Sequence, residues 1–260
     1  MKTYDFEIID CHIHPYINAA YNTAYFSGAL TPDDFSVELK RAGITKACGS
    51  VISFQSPDTF DAVCKLNRDA VSLAEKHPDF FIPGIHVHPD FPEESCRELE
   101  LMYKEHNVRW IGELVAYIMK FSSYSNKGAF NIYELAVSLG LPVNIHPNAL
   151  EEIELIAKNF PRLNIVMAHP GAGKKDIVDK VELLKKYPNL YLDLSGSGMF
   201  RDGMLRYGID QAGKEKFLFG TDYPICNPAG IFSAVLYEKL NDEELAFVFS
   251  LNFRRLTGLL

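Results

Sequence analysis

The sequence predicts an α/β protein, a (β/α)8 or TIM barrel over residues 1–260 as one domain that ends in a C-terminal helix. Three observations carry this expectation. Eight short apolar runs, rich in β-branched and aromatic residues, recur along the chain; most are too continuous for half-exposed antiparallel strands and read as parallel strands buried on both faces. Segments of helical period alternate with them about every 30 residues, which suits a barrel of roughly 250 residues. One helix-to-strand turn also repeats: His77-Pro78-Asp79-Phe80, Phe160-Pro161-Arg162-Leu163 and Tyr187-Pro188-Asn189-Leu190 each stop a helix at proline and open a strand.

Taken in order, the first strand falls in FEIID (6–10). Thr31-Pro32-Asp33-Asp34 then supplies an N-cap, a first-turn proline and acids at the positive end of a helix. After ITKACGSVIS (44–53), Ser56-Pro57-Asp58 repeats that start signal, and FFIPGIHV (80–87) follows. Helices over 92–106, 128–139, 148–159 and 174–186 lead into VRWIGELVAY (108–117), LPVNI (141–145), LNIVMA (163–168) and LYLDLS (190–195). The segment 201–212 is the weakest helix, because Gly203 and Gly208 interrupt it. KFLFG (216–220) is the eighth strand, and helices over 228–240 and 242–257 finish the chain. An open doubly wound sheet fits less well. It wants a glycine-rich phosphate turn after its first strand, where this chain has Asp10-Cys11-His12-Ile13-His14.

A chain of 47% apolar and 23% charged residues is neither collagenous nor disordered. A formal net charge of −8 argues against nucleic acid or an anionic membrane as partner. No apolar stretch approaches the ~20 residues of a membrane span, and no apolar leader follows the N-terminus. Five cysteines without metal-finger spacing read as free thiols in a reducing compartment, so the expectation is a cytoplasmic protein acting on a small molecule, with homo-oligomerisation left open.

In such a barrel the chemistry sits at the C-terminal ends of the strands. Strand 1 ends in His12 and His14, strand 4 in Glu113, strand 5 in His146, strand 6 in His169 and strand 8 in Asp222. Imidazole and carboxylate without thiolate suit Zn²⁺, Mn²⁺, Fe²⁺ or Ni²⁺. Each residue alone has a plainer role: a strand-end histidine bonded to backbone, a turn aspartate in Thr221-Asp222-Tyr223-Pro224, a buried structural glutamate. A second His-x-His, His86-Val87-His88, ends strand 3 and lines a pocket more naturally than it ligates. Asp193 and Ser195, at the end of strand 7, read as capping residues. What the bland readings do not explain is ligand-type side chains at the ends of five strands of one barrel.

Asp10-Cys11-His12-Ile13-His14, Asn144-Ile145-His146-Pro147, Ala168-His169-Pro170-Gly171 and Gly220-Thr221-Asp222-Tyr223-Pro224, in that order, resemble the metal motifs of the amidohydrolase superfamily. The nearest resemblance is to the amidohydrolase-related branch that contains aminocarboxymuconate-semialdehyde decarboxylase and γ-resorcylate decarboxylase. It implies that His12, His14, His146 and Asp222 bind one divalent ion, zinc first, with His169 beside it. Glu113 stands where binuclear relatives carry a carbamylated lysine and where others carry a bridging carboxylate, so the resemblance allows one or two ions. The activity it implies is a metal-dependent hydrolase that attacks a lactone, ester or amide, with Asp222 moving the proton and His169 stabilising the oxyanion. The alternative is a non-oxidative decarboxylase of a small aromatic or unsaturated acid, in which Asp222 or His169 protonates the carbon that loses CO₂. Aromatic residues after strand 1 (Tyr16, Tyr21, Tyr25, Phe26) and strand 4 (Tyr117, Phe121, Tyr124) suit a small flat substrate or a packed lid.

Overall fold

The computed structural model describes residues 7–26 and 31–259. Residue 6 of the expected first strand and residues 27–30 of the loop after it lie outside the described residues, as do both extremes of the chain. Eight parallel strands pair in sequence order, β1 to β8. The chain runs β1 (Ile9–Ile13), α1 (Asp34–Arg41), β2 (Lys46–Gly49), α2 (Phe60–Lys76), β3 (Phe81–Ile85), α3 (Pro92–Glu105) and β4 (Trp110–Leu114). It continues with α4 (Ala116–Met119), α5 (Lys127–Leu139), β5 (Val143–Ile145), α6 (Leu150–Asn159), β6 (Ile165–Met167), α7 (Lys174–Lys186) and β7 (Leu190–Asp193). Then come α8 (Met204–Ala212), β8 (Phe217–Leu218), α9 (Pro228–Tyr237), α10 (Asp242–Ala246), a π-helical stretch Phe247–Leu251 and α11 (Asn252–Thr257). The ring closes between β8 and β1. Cys11 N–H donates to Phe219 O at 2.9 Å, Asp222 N–H to His12 O at 2.8 Å and His14 N–H to Tyr223 O at 2.7 Å.

Seven of the apolar runs contain a strand shorter than the run, whereas β1 lies three residues later than FEIID (6–10) and is as long. The repeated proline turn is real in three dimensions: α2, α6 and α7 are capped by His77, Phe160 and Tyr187, one residue before the proline. The carbonyl of each capping residue accepts the N–H three positions on, at 3.0, 2.9 and 3.2 Å. Two start signals are displaced. Asp33 rather than Thr31 precedes α1, and Thr59 rather than Ser56 caps α2 by accepting from Ala62 N–H. Both prolines, Pro32 and Pro57, lie in the turns before those helices. The expected last helix is broken at the π-helical stretch, and α4 has no counterpart in the sequence reading.

Helices cover the outside of the sheet through faces such as Val63, Leu66, Ala70 and Leu73 of α2. A second cluster, Ile9, Cys11, Cys48, Trp110, Val166, Tyr191 and Leu218, packs inside the strands toward their N-terminal ends. There α11 lays Phe253 on Trp110, with ring centroids 5.3 Å apart, and Arg254 pairs with Glu7 at 2.5 Å. Truncating such a buried ring to alanine costs about 3–5 kcal/mol. The base of the cylinder is therefore filled with apolar side chains, and polar groups are left to the other end.

Candidate active site

Strict alternation fails in β1, where the pairing register shifts between Asp10 and Ile13. The buried Asp10 carboxylate sits beneath this irregularity. It accepts from His12 N–H at 3.1 Å, Thr221 N–H at 2.9 Å and the Thr221 hydroxyl at 2.5 Å, tying the end of β8 to β1. Burial drives its pKa up to about 7, against the lowering effect of those donors. The tie sets Asp222 opposite His12 and His14. Asp222 and His169 both hold left-handed backbone, with φ 62° and 60°. Such a conformation costs a non-glycine residue on the order of 1–3 kcal/mol and persists where surrounding contacts impose it.

Six side chains converge at the mouth. His12 Nε2 lies 3.2 Å from His14 Nε2 and 3.4 Å from Glu113 Oε2; Asp222 Oδ1 is 3.9 Å from His12 Nε2 and 3.6 Å from His14 Nε2. His14 Nε2 is also 3.4 Å from Glu113 Oε2, and His169 Nε2 is 3.4 Å from Glu113 Oε1. Two triads bring ligand atoms within 4.8 Å of one another: His12, His14 and Asp222, and His12, Glu113 and His169. His146 stands one step out. Its Nδ1 meets Glu113 Oε1 at 2.9 Å, and its ring packs edge-on against His169 and Tyr117, with centroids 4.9 and 5.4 Å apart.

The far sides of the rings decide what the near sides offer. His12 Nδ1 donates to Asp193 Oδ2 at 2.9 Å, and His14 Nδ1 donates to the Ser50 carbonyl at 3.0 Å. The Ser195 hydroxyl donates to Asp193 Oδ1 and accepts from His169 Nδ1 at 2.9 Å. A neutral imidazole carries one proton. With that proton on Nδ1 in each ring, three Nε2 lone pairs face a common space. Two lone pairs 3.2 Å apart repel unless a cation lies between them, so the donor set fits a bound divalent ion, with carboxylates that balance its charge.

The electrostatics agree. Burial disfavours a charged His12, but Asp193 and Glu113 outweigh it and hold the ring's proton affinity well above the ordinary value. Burial would lift the Glu113 carboxyl, yet the His12, His14 and His146 imidazoles that face it pull it well below the usual range, His12 most of all. Burial opposes a proton on His169, and the hydrogen bond and charge of Glu113 raise its affinity nonetheless. Asp222 is pushed up, chiefly by burial. This strongly negative, dry cluster is where positive charge is stabilised.

The residues that sequence reasoning undervalued are Asp193 and Ser195. Asp193 is fully buried and takes hydrogen bonds from His12, from Asn144 Nδ2 at 2.9 Å and from the backbone N–H groups of His169 and Ser195. It caps the turn through Ser195 N–H, as expected, and also orients the His12 ring. The signal available was its i, i+2 spacing with Ser195 at a strand end. His86 and His88 are spent on backbone: His86 Nε2 donates to Val51 O at 2.8 Å, and His88 Nε2 to Met119 O at 2.9 Å. Of the aromatics, Tyr124 and Phe121 are buried, while Tyr117, Tyr25 and Phe26 stand exposed at the mouth. No thiol enters the cluster, and the five cysteines are free. Among the described residues no helix is long and apolar enough to cross a membrane.

Solved structures resemble the chain over nearly its whole length. A 2,6-dihydroxybenzoate decarboxylase complexed with 2,6-dihydroxybenzoate superposes with TM-score 0.77 at 18% identity, covering 98% of this chain and 100% of that one. The 5-carboxyvanillate decarboxylase of Sphingomonas paucimobilis gives 0.76 at 15% identity, covering 98% and 100%. A dihydroxybenzoic acid decarboxylase of Polaromonas sp. JS666, with bound manganese and 2-nitroresorcinol, gives 0.75 at 17%, covering 98% and 97%. No curated protein matches the sequence. These relatives overturn the hydrolase drawn from the motifs and favour its alternative, decarboxylation. The motifs could not separate the two, because one set of imidazoles and carboxylates serves both chemistries. A family model described as amidohydrolase matches residues 9–259, from the first strand through α11; together with the order of motifs around the closed barrel, this places the chain in the amidohydrolase family.

Proposed function

We propose that the protein is a metal-dependent, non-oxidative decarboxylase of a small aromatic acid. The observation that carries the metal dependence is the convergence of the His12, His14 and His169 Nε2 atoms with Glu113 and Asp222 while each ring's Nδ1 is engaged elsewhere. The reaction class is supported by the decarboxylases that share the fold. His12, His14 and Asp222 would hold the ion, with Glu113 and His146 completing its surroundings. Nitrogen and oxygen donors suit zinc first; manganese, bound in the Polaromonas relative, is the other choice. A divalent cation there supplies a Lewis acid that binds and neutralises an anionic substrate oxygen.

The chain's own residues do the rest. Beside the Nδ1–H that Ser195 engages, His169 takes a second proton at Nε2 more readily than an ordinary imidazole, because Glu113 faces it. Delivered to the ring carbon, that proton replaces the departing carboxylate: the C–C bond breaks, its electron pair takes the proton, and CO₂ leaves. Tyr117, exposed and edge-on to His146, gives a flat substrate an aromatic neighbour.

The test is CO₂ release from 2,6-dihydroxybenzoate and 5-carboxyvanillate by protein loaded with Zn²⁺ or Mn²⁺, alongside metal analysis. We expect one or two ions per chain, turnover of at least one acid, and none after His12→Ala. Metal-loaded protein that releases no CO₂ from these acids or from a panel of simple hydroxybenzoates would overturn the reading.

A further inference from the structure

α7 carries a lysine where its apolar stripe calls for a hydrophobe. Ile177, Val181 and Leu184 are buried against the sheet, and Lys180, 8% exposed, lies on the same face. Its Nζ reaches the end of β6 and donates to the carbonyl of Ala168 at 3.2 Å and to that of His169. Among the described residues it forms no ion pair. Burial lowers its pKa to about 8, offset only in part by Asp193, Asp176 and Glu113. A buried cation bonded only to carbonyls is costly, and closing two carbonyls at a strand end does not require one.

What those carbonyls belong to gives the lysine its role. His169 holds φ 60°. Its N–H donates to Asp193 Oδ1 at 3.3 Å, its Nδ1 to the Ser195 hydroxyl, and Gly196 (φ 62°) leaves room for the ring where a Cβ would collide with it. Asp193 and Ser195 thus grip the residue from β7. Lys180 is the grip from the opposite side, through the backbone oxygen. Without it, the peptide after His169 loses the partner that fixes its carbonyl, and the left-handed backbone can relax.

We propose that Lys180 is a positioning residue for His169: by holding the Ala168 and His169 carbonyls it keeps the imidazole against Ser195 with Nε2 directed into the site. This deepens the function proposed above and rests on it for its catalytic meaning, but its geometry can be read without any substrate. Zn²⁺-loaded protein labelled with ¹⁵N-histidine gives ring resonances whose His169 signals are assigned by their loss in His169→Asn. In the wild type they should report one Nδ1–H tautomer. In Lys180→Met they should shift toward tautomer-averaged values, and Lys180→Arg, which keeps donors and charge, should restore much of the wild-type pattern. With an acid that the wild type decarboxylates, Lys180→Met should lose about 30-fold or more in kcat with KM within about threefold and metal content unchanged. Should Lys180→Met fail to fold, Lys180→Gln, with one short donor group, decides by the same signals. Unchanged His169 resonances in a folded Met or Gln variant overturn the proposal. Absence of decarboxylation in the wild type counts against the reaction and leaves the resonance test standing.

Discussion

His12 and His14 face each other through Nε2 atoms 3.2 Å apart, while their Nδ1 atoms are engaged by Asp193 and by the Ser50 carbonyl. Asp193 is thus the group that would make His12 a ligand in the proposed metal site. Asp193→Asn can offer His12 an amide N–H as readily as an oxygen, so the tautomer is no longer enforced. Loss of such an orienting partner typically weakens metal affinity about 10–100-fold. Competition with a chelator should show that decrease for Asp193→Asn, and complete loss of stoichiometric metal for His12→Ala. Wild-type affinity in Asp193→Asn would disprove the orienting role.

Ser195 connects Asp193 to His169 Nδ1. Ser195→Ala leaves that nitrogen without its acceptor but touches no Nε2 atom. Metal content should stay at the wild-type level while kcat falls about tenfold or more. The loss should be smaller than for His169→Asn, since general acid–base groups contribute roughly 10²–10⁴-fold. Single-variant kinetics beside metal analysis separate the two effects.

Tyr117 rests on His146 and is otherwise exposed. If it stacks on the substrate, Tyr117→Ala removes an aromatic contact of about 0.5–1.5 kcal/mol, seen as a two- to tenfold rise in KM for an aromatic acid. Tyr117→Phe should behave as the wild type. Equal KM values for all three proteins would remove the ring from the substrate site.

His86 gives a pH signature remote from turnover. It is fully buried, its Nε2 donates to Val51 O, and its Nδ1 has no hydrogen-bond partner. Burial lowers its pKa to about 4 from 6.5. A depressed folded-state value means the unfolded chain binds the proton more readily. The contribution is complete above pH about 6.5 and is lost as pH falls toward 4, worth about 3 kcal/mol at one pKa unit per ~1.4 kcal/mol. Urea denaturation between pH 4 and pH 7 should therefore be less pH-dependent in His86→Gln than in the wild type, by about that amount. Parallel curves would refute the assignment.

Much of the barrel is legible in the sequence because its strands are continuous apolar runs and three of its helices end at the same proline turn. His12, His14, Glu113, His169 and Asp222 are legible because ligand side chains at strand ends have few other uses in such number. Less legible is whatever depends on a direction within a loop. Nothing in the spacing tells that His146 turns its Nδ1 to Glu113 rather than joining His12 and His14 directly. Asp193 looks like a cap until its partners from β1, β5 and β6 are in place, and Lys180 looks like a solvent-facing lysine on a charged helix until its stripe is seen to be buried. The π-helical stretch in 242–257 leaves no mark, since its residues suit an ordinary helix.

Phe253 and Trp110 at the base of the strands have a consequence for traffic. A cylinder stoppered at one end has a single doorway. Whatever reaches the cluster of histidines from the mouth leaves toward the same side, so a tightly held visitor obstructs departure as well as arrival.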